Sequence, residues 1–474
     1  MGRRLDERAG LAVVSTLADV IEVRSPWDGR FLGSVPAGGE RQVDETVSVA
    51  LDRHRGPQLP AHRRAAILDR VADLLVTRRE RFAATISAEA GKPINAARAE
   101  ATRAADTMRF SAAVARTMTG EVLPLDASVA GEAKLGYVRR VPVGVVGAIT
   151  PFNFPLNLVC HKVAPAVAVG CPVVLKPSPA TPLTALAVAA LFEEAGLPPG
   201  WLTVVTCSNE VAPALAVHPG VAMVTFTGSR EVGHRLRAAA PSKRVSLELG
   251  NNAPVIVEPD GDWRAAAAKI AVAGFAYSGQ TCISVQRLFV HRSVHDDLVD
   301  DLVSRVSRLR VGDPGDETTD VSSLINASAA ERVAGWVAEA VADGAVARCG
   351  GTLEDHSVVT PCVLTGVTPD MRVSHAELFG PVVGVQAYDD FDEALGLAND
   401  TRYGLQAGVF TRDLGKALLA TEVLDFGAVL VNEVPTWRAD HMPYGGVRDS
   451  GNTREGPVYA AQEMTEQRLV VLST

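Results

Sequence analysis

Between residues 135 and 291 short runs of β-branched and apolar residues alternate with helical stretches, and this alternation constrains the fold more than any other feature. Residues 135–149 read as strands, include the run VPVGVVGAI, and break at PFNFP (151–155). VVLK (173–176), LTVVT (202–206) and AMVTFTG (222–228) follow as strands, separated by helices expected over 181–195 and 210–217. After ELGNNAP (248–254) the rhythm restarts with VIV, the Ala-rich stretch 263–276 and SVQRLFVH (284–291). Such alternation predicts a mostly parallel sheet of the doubly wound α/β type. The restart near Gly250 predicts two α/β domains rather than one, the first with the look of a nucleotide-binding domain, and 474 residues leave room for both. Upstream, residues 20–36 read as a hairpin turning at Asp28-Gly29. Ile67, Val71, Leu74 and Leu75 mark a helix that starts at Ala61 and stops at Gly91-Lys92-Pro93, and a second Ala-rich helix runs to about Met118.

Composition narrows the function classes. Lys and Arg number 46 against 55 Asp and Glu, a net charge of −9, so no global basic field exists to hold a nucleic acid backbone. The six cysteines form no CxxC or Cys/His cluster, which argues against a metal site and a disulfide framework and for a reducing, cytoplasmic setting. The N-terminal MGRRLDERAGLAVVSTLADV sets acids beside its basic residues and reads poorly as a signal peptide. No uncharged apolar run reaches the roughly 20 residues that span a bilayer. Residues 466–474 (EQRLVVLST) form a terminal strand that its own domain is expected to leave unpaired, a candidate for pairing with another subunit.

Cys282 follows a helix end that opens into the polar turn Ser278-Gly279-Gln280-Thr281, which can present a thiol. Glu248 lies 34 residues upstream (282 − 248), at the end of an apolar strand where a carboxylate is awkward to bury. A thiol and a lone Glu suit a nucleophile and a general base, although a single Cys is also a common small core residue. FTGS (226–229) with Gly233 gives a strand, a Gly-containing turn and a helix start that can face a pyrophosphate; the plainer reading is Ser229 as a helix N-cap. Lys176 ends an apolar strand, where open α/β sheets bind ligands and where a surface Lys can also snorkel.

Taken together, PFNFP (151–155), LKPSPATP (175–182), FTGS (226–229), LELG (247–250), SGQTC (278–282), ELFGPV (377–382) and PYGGVRDSG (443–451) resemble the aldehyde dehydrogenase superfamily in order and in the Glu–Cys interval. The resemblance implies a Rossmann-like NAD(P)-binding domain (1–118 and 142–249), an α/β catalytic domain (250–440) and a small oligomerisation arm (119–141 and 455–474) of a homodimer or homotetramer. It implies Cys282 as the nucleophile that forms a thiohemiacetal, Asn153 as an oxyanion donor beside the Cys282 backbone N–H, and Glu248 as the base that hydrolyses the thioester. It assigns NAD or NADP to Lys176, Ser178, Pro179, Phe226, Thr227, Gly228, Ser229, Gly233, Glu377 and Phe379. Of these, Lys176 matches an adenosine-ribose ligand, Ser229 a pyrophosphate ligand, and Glu377 and Phe379 the residues at the nicotinamide ribose and ring.

Three departures qualify the match. Asn251 replaces a second Gly after ELG, a position where Asn tolerates left-handed angles. Pro179 stands where NAD-preferring members often carry a Glu, so a 2′-phosphate is no longer repelled, and Arg230 is a further possible partner for it. Thr281 stands where some relatives acting on phosphate- or phosphonate-bearing aldehydes carry Arg. Arg109, His161, Thr281 and Arg438 match the substrate pocket of a subgroup acting on small acidic or hydroxylated aldehydes, which predicts a small, polar, anionic aldehyde substrate. The plainer reading pairs Arg109 and Arg438 with acids such as Asp106 or Asp440. The rival functions are a CoA-acylating semialdehyde dehydrogenase, whose relatives commonly lack the Glu found here at 248, and a catalytically inactive dinucleotide-binding or structural protein.

Overall fold

A computed structural model describes residues 19–473 except His356, so the leader reading of residues 1–18 lies outside the described residues. Two large sheets and a small one carry the chain. The first is five-stranded and parallel, in the spatial order Leu202–Val204, Val173–Lys176, Val145–Ile149, Val221–Thr227, Arg244–Glu248. Its strands Val145–Ile149 and Val173–Lys176 are buried at every position, because helices cover both faces, and so they read as apolar runs up to the terminal Lys176. The helix Asn157–Val169 is buried all round, Pro165 included, and fills the space between this sheet and the helix Ile94–Thr117.

The second sheet has seven strands, ordered Val346–Cys349, Cys362–Thr365, Val382–Tyr388, Arg287–His291, Pro254–Val257, Gln406–Phe410, Ala428–Val431. All its pairs are parallel except the antiparallel edge pair Val346–Cys349 with Cys362–Thr365. The hairpin appears as Val20–Arg24 paired with Phe31–Pro36. The single helix expected from Ala61 to Gly91 is two, Ala61–Thr77 and Arg79–Ala90, with Arg78 (φ −107°, ψ 18°) turning the axis between them. Gly91 ends the second at φ 64°, and a Cβ there would lie 2.5 Å from the Ser323 hydroxyl.

The C-terminal strand differs from expectation. Thr465–Ser473 pairs antiparallel with Lys134–Pro142 of its own chain over nine residues, and Glu121–Leu123 closes the other side. The spacing between the two strands in sequence hid this partner; the tail strand is paired on one side and forms one outer edge of the three-stranded sheet, with Glu121–Leu123 at the other. The preceding helix Pro457–Glu463 packs on Asn157–Val169, and the strand Thr465–Ser473 follows it. No helix among the described residues is long and apolar enough to cross a membrane.

Candidate active site

Opposite ends of the two large sheets meet at one cleft. From the five-stranded sheet come the carboxyl ends: residues 151–155 after Ile149, residues 227–229, and Glu248. From the seven-stranded sheet come the segments that enter the strands: residues 250–253, 281–286 and 377–381. Between them lies a cavity of about 460 Å³ whose walls include Asn153, Glu248, Thr281, Cys282, Glu377, Phe379, Arg438 and Tyr444.

Cys282 sits at the end of a loop held in unusual backbone geometry. Tyr277 (φ 49°), Ser278 (φ 55°) and Gly279 (φ 71°) are successive left-handed residues, two of them with side chains that disfavour it. The loop is held because the Tyr277 hydroxyl donates to the Ala90 carbonyl (2.8 Å) and Ser278 Oγ to the Ser322 carbonyl (2.7 Å). At Gly279 a Cβ would fall 2.0 Å from the Gly380 carbonyl oxygen, so only glycine fits. Cys282 Sγ lies 2.9 Å from the Tyr444 hydroxyl. Burial pushes the Cys282 thiol up to about 12, and the Tyr444 hydrogen bond only partly offsets it. Burial thus favours the neutral thiol over the thiolate at Cys282.

Asn153 is buried, its Nδ2 donates to the Gln280 carbonyl (3.0 Å), and its Oδ1 has no partner. That bond ties the segment after Ile149 to the Cys282 loop. Glu248 is 3% exposed, yet neither carboxylate oxygen finds a partner in the protein. Burial, and then the neighbouring Glu455 carboxylate, raise its pKa well above the usual range, while Lys162 and Arg438 oppose them. An unpartnered buried carboxylate with a raised pKa beside a cavity has the character of a general base.

Of the two predicted substrate arginines, Arg438 lines the cavity and Arg109 does not. Arg109 lies on the outer face of Ile94–Thr117, half exposed, 3.5 Å from Asp106 and 3.8 Å from Asp73, and takes no part in the cavity. Arg103, on the inward side of the same helix, lines the cavity instead, with Nε and Nη2 on the two Asp440 oxygens at 2.9 and 2.8 Å. Arg438 also lines it, but Nη2 donates to Glu455 (3.1 Å) and its guanidinium stacks 3.8 Å over the Tyr444 ring. The plainer reading of paired arginines thus holds for both predicted residues. His161 is buried behind the wall, its Nε2 3.0 Å from Asp440 and 3.1 Å from Arg438, and burial and Arg438 lower its pKa. Lys162 and Arg438 hold Glu455 down at about 2 against burial. Thr281 does face the cavity, with its hydroxyl unpartnered.

Of the predicted cofactor residues, Thr227, Gly228, Ser229, Glu377 and Phe379 line the cavity. The helix Arg230–Ala239 begins at Ser229 without a side-chain cap, and the buried Thr227 hydroxyl beside it has no partner, so donors are left for a pyrophosphate. Gly233 brings this helix close to the sheet, since a Cβ would meet Leu249 at 2.5 Å, and the Phe226 ring lies under Gly228. Lys176, Ser178 and Pro179 lie along the same carboxyl edge but outside the cavity; Lys176 Nζ donates to Asn209 (2.8 Å) and Ser178 Oγ accepts from Ala180 N (3.3 Å). Arg230 is engaged by Asp449 (2.7 Å), which removes it as a free partner for a 2′-phosphate. Glu377 accepts from Asn251 N (3.0 Å) and is raised by burial to about 7. Asn251 is not left-handed; its side chain donates to the Gln406 carbonyl (3.4 Å) instead. Tyr444, Glu455 and Arg103 went unassigned from the sequence, although Tyr444 falls inside the PYGGVRDSG motif, and Asp440 is expected from it only as an acid pairing with Arg109 or Arg438.

A model of the aldehyde dehydrogenase family matches residues 13–470. The chain is 44% identical over 459 residues to a 3-sulfolactaldehyde dehydrogenase of Priestia megaterium, covering 97% of this chain and 96% of that one. It is 36% identical over 461 residues to a lactaldehyde dehydrogenase of Methanococcus aeolicus, with 96% and 97% covered. The crystal structure of glyceraldehyde-3-phosphate dehydrogenase GapN from Methanocaldococcus jannaschii, complexed with NADP, superposes with a TM-score of 0.92 at 36% identity over 96% of this chain and 99% of that chain. The chain belongs to the aldehyde dehydrogenase family and is an enzyme of that family.

Proposed function

We propose that this enzyme oxidises a small, polar, anionic aldehyde to the free carboxylic acid with NAD+ or NADP+. The observation that carries the reading is the convergence of the Cys282 thiol, the Asn153 amide and the unpartnered Glu248 carboxylate on one cavity. Cys282 Sγ attacks the aldehyde carbon as its proton passes to the Glu248 carboxylate, which sheds it to solvent before the later step, and as the C–S bond forms the carbonyl π bond opens to a thiohemiacetal oxyanion. Asn153 Nδ2, turned from Gln280, and the Cys282 backbone N–H donate to that oxygen. NAD(P)+, when bound, supplies the hydride acceptor that turns the thiohemiacetal into a thioester. Glu248 then takes a proton from water as its oxygen attacks the acyl carbon, the C–S bond breaks, and the carboxylate is released. A base in this position favours hydrolysis over transfer to CoA.

Thr227, Gly228 and Ser229 would hold the pyrophosphate, Glu377 and Phe379 the nicotinamide riboside, and Lys176, Ser178 and Pro179 the adenosine end. Pro179 brings no carboxylate there, which suits NADP+ as well as NAD+. Arg103 and Arg438 support an anionic substrate, as does the sulfolactaldehyde activity named for one relative, while the lactaldehyde activity named for another supports a small hydroxylated aldehyde. Each guanidinium is already balanced by an acid, so the substrate's anion meets a shared ionic network rather than a naked cation. Exposed Val122, Leu469, Val471 and Leu472 on the three-stranded sheet support a homodimer or homotetramer. The test is a panel of aldehydes with each dinucleotide, read at 340 nm. Sulfonated, phosphorylated and hydroxylated three-carbon aldehydes should outperform hexanal and benzaldehyde, and a preference for the long apolar substrates would contradict the reading.

A further inference from the structure

Beneath the two catalytic loops lies a charge pair with no part in the chemistry described above. Lys92 and Glu100 are 1% and 0% exposed at their side chains and form an ion pair at 2.5 Å. Two buried charges are worth keeping only when every remaining donor and acceptor is used, and here they are used on the loops that carry the reaction. Glu100 Oε1 accepts from the backbone N–H groups of Leu156 (2.9 Å) and Asn157 (3.0 Å), which follow Asn153 and open the helix Asn157–Val169. The Lys92 ammonium sits 3.7 Å from the Phe154 ring centroid and 4.5 Å from that of Tyr277. Phe154 is the residue after the oxyanion donor, and Tyr277 is the first of the left-handed residues leading to Cys282. Tyr277 also donates to the Ala90 carbonyl, two residues before Lys92.

We propose that Lys92 and Glu100 are positioning residues that fix the Asn153 segment and the Cys282 loop against each other, so that the oxyanion donor and the nucleophile reach the same carbonyl. The pair acts through the N–H groups at 156 and 157 on one side and through the two aromatic faces on the other. Like the Asn153–Gln280 bond, it is a polar connection that reaches both segments. The inference rests on the roles proposed above for Asn153 and Cys282. A wild-type enzyme that oxidises no aldehyde would fail that reading, whereas intact turnover in the variants below would fail this one.

The test compares wild type with Lys92→Met/Glu100→Gln, which is matched in size and leaves no unpaired buried charge, and with Glu100→Gln alone, in which Gln can still accept both N–H groups and Lys92 can shed its proton. Folded protein is verified by circular dichroism, and kcat, aldehyde KM and dinucleotide Kd are measured. For the double variant the proposal expects kcat to fall about tenfold or more while KM and Kd stay within about twofold, and for Glu100→Gln alone, which keeps the N–H and aromatic contacts, a smaller fall. It also expects non-additivity: in an Asn153→Ala background the double neutral substitution should lower kcat by less than about threefold, because the donor it positions is gone. Unchanged kcat, fully additive losses with Asn153→Ala, or loss of folded protein in both variants would assign the pair to stability alone and overturn the proposal.

Discussion

The five-stranded and seven-stranded sheets face the same cavity with opposite ends. The first offers its carboxyl ends, where open α/β sheets ordinarily bind ligands, and Glu248 and residues 227–229 stand there. The second offers its amino ends, and its own carboxyl ends are given over to structure. There Glu258 accepts from the Tyr388 hydroxyl and from Lys416, and Asp260 accepts from Thr411 Oγ1 (3.0 Å), Arg412 N (2.9 Å) and Asp413 N (2.8 Å). At the cavity the buried polar atoms are unspent: Asn153 Oδ1, Thr227 Oγ1, Thr281 Oγ1 and both Glu248 oxygens lack protein partners. What separates a working sheet edge from a structural one in this protein is unsatisfied polarity, not the direction of the strands.

Substitutions at the two kinds of edge should therefore diverge. The largest effect belongs to Cys282→Ala, which should lower aldehyde oxidation by about 10³-fold or more with dinucleotide binding intact, measured by steady-state absorbance and by cofactor titration. Asn153→Ala, on the facing sheet, should cost about 10²–10³ in kcat through the lost oxyanion donor. Pro179→Glu should shift the NAD+ to NADP+ ratio of kcat/KM by about tenfold towards NAD+, by repulsion of the 2′-phosphate and by new hydrogen bonds to the ribose. At the structural edge, Glu258→Gln should lower Tm and leave kcat within about twofold; a large loss of turnover there would break the contrast.

The alternation that fixes both sheets is legible because strands buried on both faces must be largely apolar, as Val145–Ile149 and residues 173–175 are. Cys282, Glu248 and Asn153 are legible as motifs, but what surrounds them is not. Arg103 and Arg109 share a helix, and only its phase separates them: Arg109 shares the exposed face with Thr102, Asp106 and Ala113, while Arg103 borders the buried Ala104 and Thr107. Asp440, Tyr444 and Glu455 arrive on a return segment, residues 440–456, that pairs back to the first sheet at Glu248 and Gly451 and shows no periodic pattern to read. The thiol pKa of Cys282 was out of reach as well, since it is set by burial and by Tyr444, 162 residues away.

The central claim is that Cys282 carries the acyl group and Glu248 removes it. Burial holds Glu248 above the usual carboxylate range, so the base becomes available, and turnover rises, as pH increases through that raised pKa. The direct measurement is stopped-flow absorbance at 340 nm on Glu248→Gln with a small anionic aldehyde across pH, with intact mass read on the same samples. The account predicts a burst approaching one reduced dinucleotide per site, an acyl adduct on Cys282, a steady rate reduced by about 10²-fold, and loss of the rising pH limb that wild type shows. An unchanged steady rate, with no burst and no adduct on Cys282, would contradict it.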